Sequence, residues 1–322
     1  MKKAASCLLA AGLLLAPLAT PAAFEPEVLE SVVSLLPHWP GHSRGGALDL
    51  PPGVAPEASA VAIAPDGYLA TAYHAIAPAE AVDVRLADGR LQPAEVVAVD
   101  PASDIALLKI EADLPVLPLV EAVDAELGDP VCAIGNAFGL GLSVTCGVIS
   151  AFERTNAGFN AVEDFVQTDA AVNPGMSGGA LVDAEGGLLG LLSAIFASEG
   201  DTNAGVNFAV SARLLRRVVV DLQQHGEVRR GASGLRVRNL SREQQKQGSG
   251  ALVQRVEAGG PAERAGLQKG DLIVEVAGRR IGSAADVQTA LHLHRPGESL
   301  YLTFRRGQSS ETTTLTLEKE RE

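Results

Sequence analysis

From Ser59 onward the chain alternates short apolar runs with turn signals, a pattern of closely spaced strands. Residues 59–64, 68–72, 82–86, 96–99 and 105–110 form one series, broken by Pro65-Asp66-Gly67 and Ala87-Asp88-Gly89; residues 131–134, 143–152, 165–168, 180–182, 188–195 and 206–210 form a second. Two sets of short strands fit a pair of barrels or sandwiches better than a parallel α/β sheet. The period then changes. Ser211 caps a segment whose apolar positions Leu214, Leu215, Val218, Val219 and Leu222 share one helical face and which ends at Gly226, so a helix closes this part of the chain.

Length and charge divide what the pattern leaves whole. A chain of 322 residues favours two domains, and 47% hydrophobic residues with 34 Gly and 18 Pro exclude wholesale disorder and a long coiled coil. The balance of 26 Lys and Arg against 39 Asp and Glu, a net −13, argues against a nucleic-acid binder, which needs a cationic face. That average conceals a split: residues 24–227 carry 8 basic and 28 acidic side chains, net −20, whereas residues 228–322 carry 16 and 11, net +5. A domain boundary near 227 follows, dividing an acidic unit at 24–227 from a basic one at 228–322. The contrast predicts docking of the second unit on the first and attraction of cationic unfolded segments, both weakened by salt.

Residues 1–23 have the form of an export signal: Lys2 and Lys3, an apolar run from Ala4 to Leu18, and a small-residue stretch Thr20-Pro21-Ala22-Ala23 before acidic Phe24-Glu25-Pro26-Glu27. Cleavage and a periplasmic location are expected. An uncleaved inner-membrane anchor is the rival reading, since no charge interrupts residues 4–24 and about 20 residues cross a bilayer. Cys7 lies too early for a lipid-attachment site and would leave with the signal. Cys132 and Cys146, on neighbouring predicted strands, form either a disulfide or two small buried thiols; spacing leaves both open.

The chemistry sits in three distant pieces. In Asn173-Pro174-Gly175-Met176-Ser177-Gly178-Gly179, glycines flanking a serine permit a tight backbone that presents Ser177 Oγ and lets N–H groups of Gly175 and Ser177 converge on one oxygen. Serine is a weak nucleophile alone and needs a base and an orienting carboxylate. Thr71-Ala72-Tyr73-His74 supplies the base at a strand end, and Asp104, just before another strand, the carboxylate. The order is His, Asp, Ser, spaced 30 and 73 residues apart. His38, His42 and His225 stand outside any motif, and His292 and His294 fall on different faces of a predicted helix, so neither a metal nor a cofactor is called for.

The strings Gly67-Tyr68-Leu69-Ala70-Thr71-Ala72-Tyr73-His74, Asp100-Pro101-Ala102-Ser103-Asp104-Ile105-Ala106, Ala133-Ile134-Gly135-Asn136-Ala137-Phe138-Gly139-Leu140 and residues 167–179 together resemble the HtrA (Deg) serine proteases. The resemblance implies a mainly β chain: a chymotrypsin-like double β-barrel with His74 as general base, Asp104 as its orienter and Ser177 as nucleophile, then one α+β PDZ domain. It also implies a homotrimer, an oxyanion loop at Gly175, Met176 and Ser177, and a shallow apolar pocket from Val172, Ser193, Ala194, Ile195 and Phe196. That pocket favours cleavage after small or medium aliphatic residues; the plain alternative is that these side chains fill the second barrel. Met176 stands where the family usually has Asn or Asp, and Ala58-Ser59-Ala60-Val61 where it commonly has Gly-Ser-Gly. Activity is expected to survive both departures. Asp169 belongs to the family string and is read as structural.

Gly250-Ala251-Leu252-Val253 and residues 260–278 are similar to the PDZ signature, with a short helix from Pro261, a stop at Gly266, a turn at Lys269-Gly270-Asp271 and a strand ending at Gly278. That similarity implies capture of protein C-termini as an added strand. The carboxylate would rest on N–H groups of Ala232, Ser233, Gly234 and Leu235, and Val287 and Leu291 of a helix over 283–294 would face the ligand or else pack the core. Ser233 replaces the apolar residue usual in that loop. The expected activity is ATP-independent endoproteolysis of misfolded or specific envelope proteins, with the PDZ domain recognising or regulating; the alternative is a binding or chaperone-like module whose protease stays latent until a peptide docks.

Overall fold

The computed structural model describes residues 25–40, 57–120, 125–197, 203–246 and 248–319. The predicted export signal or anchor, with Cys7, lies outside the described residues, as do the side chains of residues 194–197 and 203. No helix among the described residues is long and apolar enough to cross a membrane.

A short helix α1 (Pro26–Glu30) leads into β1 (Val32–His38), which closes a barrel with β2 (Ala58–Ala64), β3 (Tyr68–Ala72), β4 (Ala81–Arg85), β5 (Leu91–Asp100) and β6 (Ile105–Lys109), in the order β1-β2-β3-β6-β5-β4. A second barrel closes from β7 (Pro130–Gly135), β8 (Ser143–Arg154), β9 (Phe165–Thr168), β10 (Ala180–Val182), β11 (Leu188–Ala197) and β12 (Asn203–Ser211), in the order β10-β11-β12-β9-β8-β7. β6 shows why these strands read as continuous apolar runs. Ala106 and Leu108 point into the first barrel, while Ile105 and Leu107 join Ile134, Leu191 and Phe208 in a core between the barrels. Both faces of the strand are dry, so alternation disappears.

α2 (Tyr73–Ile76) follows β3 directly, and α3 (Ala212–His225) starts where Ser211 Oγ accepts the Leu214 N–H at 3.2 Å and stops at left-handed Gly226. All five apolar positions predicted for its inner face are buried. β1 escapes the sequence pattern because Val-Val-Ser-Leu-Leu carries no alternation and Pro37 argues against a strand; Pro37 is accommodated opposite Val82, within the pairing with β4. Cys132 and Cys146 are opposed in the β7–β8 ladder, and they form a disulfide.

The C-terminal unit is an open antiparallel sheet of β14 (Leu235–Asn239), β15 (Ala251–Val256), β16 (Leu272–Val276), β18 (Ser299–Arg306) and β19 (Ser309–Thr316), with β17 (Arg279–Arg280) paired to β16 and a small ribbon of β13 (Gly231–Ala232) and β20 (Glu318–Lys319). Helices α4 (Arg242–Gln245), α5 (Pro261–Arg264) and α6 (Ala284–His292) flank it. β14 lies at the edge with one side unpaired.

The two units join through ion pairs of one polarity. Arg279 donates to Asp164 at 2.6 Å, Arg295 to Asp221 at 2.8 Å, and Arg230 to both oxygens of Asp100 at 2.7 Å. Each arginine belongs to the basic half and each carboxylate to the acidic half, the polarity expected from the charge split. The expected weakening by salt does not extend to Arg279 and Asp164, whose side chains are 4% and 2% exposed and therefore poorly screened. Asp221 is fully buried, which alone raises its pKa; the Arg229 N–H and the Arg217 and Arg295 guanidinium groups outweigh this and hold it below the usual carboxylate value.

His292, at the end of α6, has its pKa lowered to about 4 by burial first and then by the charge of Arg230, with Asp100 opposing and Arg217 assisting. The unfolded chain therefore takes up a proton near pH 6.5 that the folded chain refuses until about pH 4. Stability is unaffected by this group above pH 6.5 and falls as pH drops toward 4, by roughly 2–3 kcal/mol from this residue. Urea unfolding at pH 7 and pH 4.5 checks this: the loss between the two is smaller in His292→Gln, and equal losses would refute it.

Candidate active site

The three distant pieces of the sequence meet where the barrels face each other. β3 ends at Ala72, and α2 places His74 on the cleft with its ring half exposed. The turn between β5 and β6 carries Asp104, whose backbone is left-handed, φ 59°, a conformation that Asp tolerates better than most residues. That turn brings Oδ2 to 2.7 Å from His74 Nδ1, and Oδ1 accepts the His74 backbone N–H at 2.8 Å. A carboxylate only accepts, so Nδ1 carries the ring proton and Nε2 is left as the base. Ser193 Oγ donates to the same Asp104 Oδ2 at 2.8 Å, and Ser177 Oγ lies 3.5 Å from the Ser193 carbonyl. The serine hydroxyl is not bonded to the ring; such contacts tighten in substrate complexes.

The loop ahead of Ser177 explains how an anion could be held. Asn173 to Met176 form a β-turn, with Pro174 second, Gly175 third at φ 92°, and the Met176 N–H donating to the Asn173 carbonyl at 3.0 Å. A Cβ on Gly175 would lie 2.3 Å from the Asn136 carbonyl oxygen, so glycine is required for space as well as for φ. Each carbonyl of the loop has a donor: Pro174 from Phe138 N–H at 2.7 Å, Gly175 from Ser59 Oγ at 2.8 Å, Met176 from Gly179 N–H at 2.9 Å and Ser177 from Ser59 N–H at 2.9 Å. Among the described residues no acceptor takes the N–H of Gly175 or of Ser177. Two orphan backbone donors beside the Ser177 hydroxyl are the arrangement that an oxyanion site requires.

Several expectations are corrected by this geometry. Met176 does not offer its N–H to the oxyanion site, since the turn consumes it; its side chain is fully buried in the second-barrel core and its sulfur accepts the Asn173 N–H at 3.4 Å. Ser193 turns its hydroxyl to Asp104 instead of lining a pocket. Val172 is 3% exposed and packs in the same core as Met176. The side chains of Ala194, Ile195 and Phe196, also expected in the pocket, lie outside the described residues. Asp169 accepts the Val148 N–H at 2.7 Å, a contact within the second barrel.

Ser59 is the residue that sequence reasoning undervalued. It clamps the oxyanion loop from the first barrel through its hydroxyl and its N–H, and it also takes the Asn136 N–H at 2.8 Å. Its place in the departing Ala58-Ser59-Ala60 string was the available signal.

The second cavity of interest lies in the C-terminal unit between β14 and α6, about 440 Å³, floored by the Gly231–Leu235 loop. Ala232, Ser233, Gly234 and Leu235 all line it, as expected, and so does Leu291. Val287 does not: it is 1% exposed in the sheet core, and Gln288 and His292 line the cavity in its stead. Ser233 Oγ already accepts the Leu235 N–H at 3.2 Å, so that donor is engaged within the loop. Among the described residues no three metal-ligating side chains converge.

Two barrels with a serine, histidine and aspartate at their junction, followed by a small sheet with an open edge, define a trypsin-like peptidase domain carrying a PDZ domain. Models of those two families match residues 58–191 and 231–317. The chain is 38% identical over 246 residues to a probable periplasmic serine endoprotease DegP-like of Chlamydia trachomatis, covering 74% of this chain and 49% of that protein, and 36% identical over 260 residues to the periplasmic serine endoprotease DegP of Salmonella typhimurium, covering 79% and 54%. It thus spans about half the length of these curated relatives. The solved HtrA-type protease AlgW with tripeptide superposes with a TM-score of 0.72 at 35% identity, covering 92% of this chain and 96% of that one. The chain belongs to the HtrA family of serine proteases.

Proposed function

We propose that this protein is an exported, ATP-independent serine endopeptidase that cleaves misfolded or specific envelope proteins and captures exposed C-termini in its PDZ groove. His74 Nε2 takes the Ser177 proton as Oγ attacks the scissile carbonyl; Asp104, fixed by Ser193, holds the imidazole in the required tautomer and stabilises the imidazolium. The tetrahedral oxyanion is received by Gly175 and Ser177 N–H groups, the amine leaves with the proton from His74, and water repeats the sequence on the acyl-enzyme. Periplasmic location follows the names of the relatives and the predicted signal, and a homotrimer follows the family resemblance.

The observation that carries the reading is the orphaned pair of N–H groups, held in place by donors on every neighbouring carbonyl. It also favours cleavage without a bound peptide over the latent alternative. Casein digestion by the wild type and Ser177→Ala, each with and without C-terminal peptides, tests both points. Ser177-dependent, peptide-independent cleavage is expected. No cleavage under any condition would overturn the enzyme reading, and cleavage only with a bound peptide would overturn the preference over the latent alternative.

A further inference from the structure

β14 and β15 place two cations where an antiparallel sheet ordinarily avoids them. Arg236 and Arg255 are direct cross-strand partners, both exposed, and like charges opposed in this way are mutually destabilising. Among the described residues no carboxylate lies within ion-pair distance of either. Both line the groove at the Gly231–Leu235 loop, and both also line a larger, more open recess of about 850 Å³ that continues along the sheet past Lys269. Glu257 in the groove and Glu263 in the recess are the acidic side chains nearby; the Glu263 carboxylate is engaged with the Gly259 N–H. An uncompensated pair at the mouth of a cavity beside an unpaired strand edge is arranged for an anionic partner.

Alternation along the strands says which part of that partner meets the pair. Leu235, Val237, Val253 and Val256 face the core side of the sheet, so Arg236 and Arg255, between them, project from the opposite face. A peptide added to the free edge of β14 with its C-terminus in the loop turns its last and third-last side chains toward the cavity. Its second-last and fourth-last side chains then fall on the arginine face.

We propose that Arg236 and Arg255 make this groove selective for C-termini carrying Asp or Glu at the second and fourth positions from the end. The inference rests on the groove being a peptide site. It assigns to the basic half of the chain a class of ligand opposite in charge to the cationic segments expected at the acidic protease half.

Fluorescence polarisation on the full chain tests it, with Ser177→Ala present to prevent cleavage. The probes are labelled ten-residue peptides with a common C-terminal valine and Glu, Gln or Lys at both positions. Glu peptides are expected to bind about three- to tenfold more tightly than Lys peptides at low salt, with the difference shrinking at higher ionic strength. Adding Arg236→Gln and Arg255→Gln should erase the ranking among the three peptides and not lower Tm, because a repulsive pair is removed. Equal binding of Glu and Lys peptides would overturn the proposal while leaving the groove a peptide site. Failure of all three peptides to bind would overturn the peptide reading itself, and the proposal with it.

Discussion

Ser177→Ala lowers kcat on a peptide substrate by about 10⁵- to 10⁶-fold, with KM little changed. The loss is this large because triad members act as a unit and removing one forfeits nearly the whole effect. It is not total. Gly175 and Ser177 present N–H groups from the backbone, and alanine at 177 leaves both in place, so a residual acceleration of roughly 10³–10⁴ over water is expected from oxyanion binding and substrate positioning. Single-turnover assays with an activated ester measure both quantities. A drop of less than a hundredfold would mean that another group attacks the carbonyl.

Arg279→Met costs about 3–5 kcal/mol, because it strands a charge instead of merely deleting a contact. Asp164 sits almost wholly out of water between the two units, and its remaining partners are the Ser211 hydroxyl at 2.6 Å and Arg213 at a marginal 3.4 Å. Arg279 also donates to the Glu153 carbonyl at 2.9 Å, which loses its donor too. Adding Asp164→Asn removes the uncompensated charge while keeping an acceptor for Ser211, and the double variant recovers a large part of the loss. Urea denaturation of the two singles and the double at pH 7 yields the coupling. A cost below about 1 kcal/mol for Arg279→Met would show that the pair does not hold the units together.

His74, Asp104 and Ser177 were legible as a candidate triad because each sits in an ordered string and because acyl transfer demands those three residue types. Its supports were not. Ser193 and Ser59 look like ordinary strand serines, and their roles arise only when barrel closure brings them against groups 89 and 116 residues away. β1 was hidden by burial on both faces and by Pro37, whereas the following strands announced themselves through their turns. In α6 the helix was readable but its phase was not: of two adjacent residues, Val287 lies in the core and Gln288 in the groove. Spacing could not join Cys132 to Cys146, but the register of the β7–β8 hairpin does. The sign of the charge split was visible in the sequence, while the choice of Arg230, Arg279 and Arg295 as its points of contact required the folded surface.

Arg230 bonds both oxygens of Asp100, and Asp100 in turn accepts the Ser103 hydroxyl at 2.5 Å, one residue before Asp104. The turn that aims the Asp104 carboxylate at His74 is therefore braced from beyond the end of the protease barrels. Cutting the chain after α3 would not release an intact enzyme from a passenger. It would leave a buried carboxylate without its counter-ion four residues from Asp104, so a shortened protease reports on a damaged turn as much as on a missing peptide-binding domain.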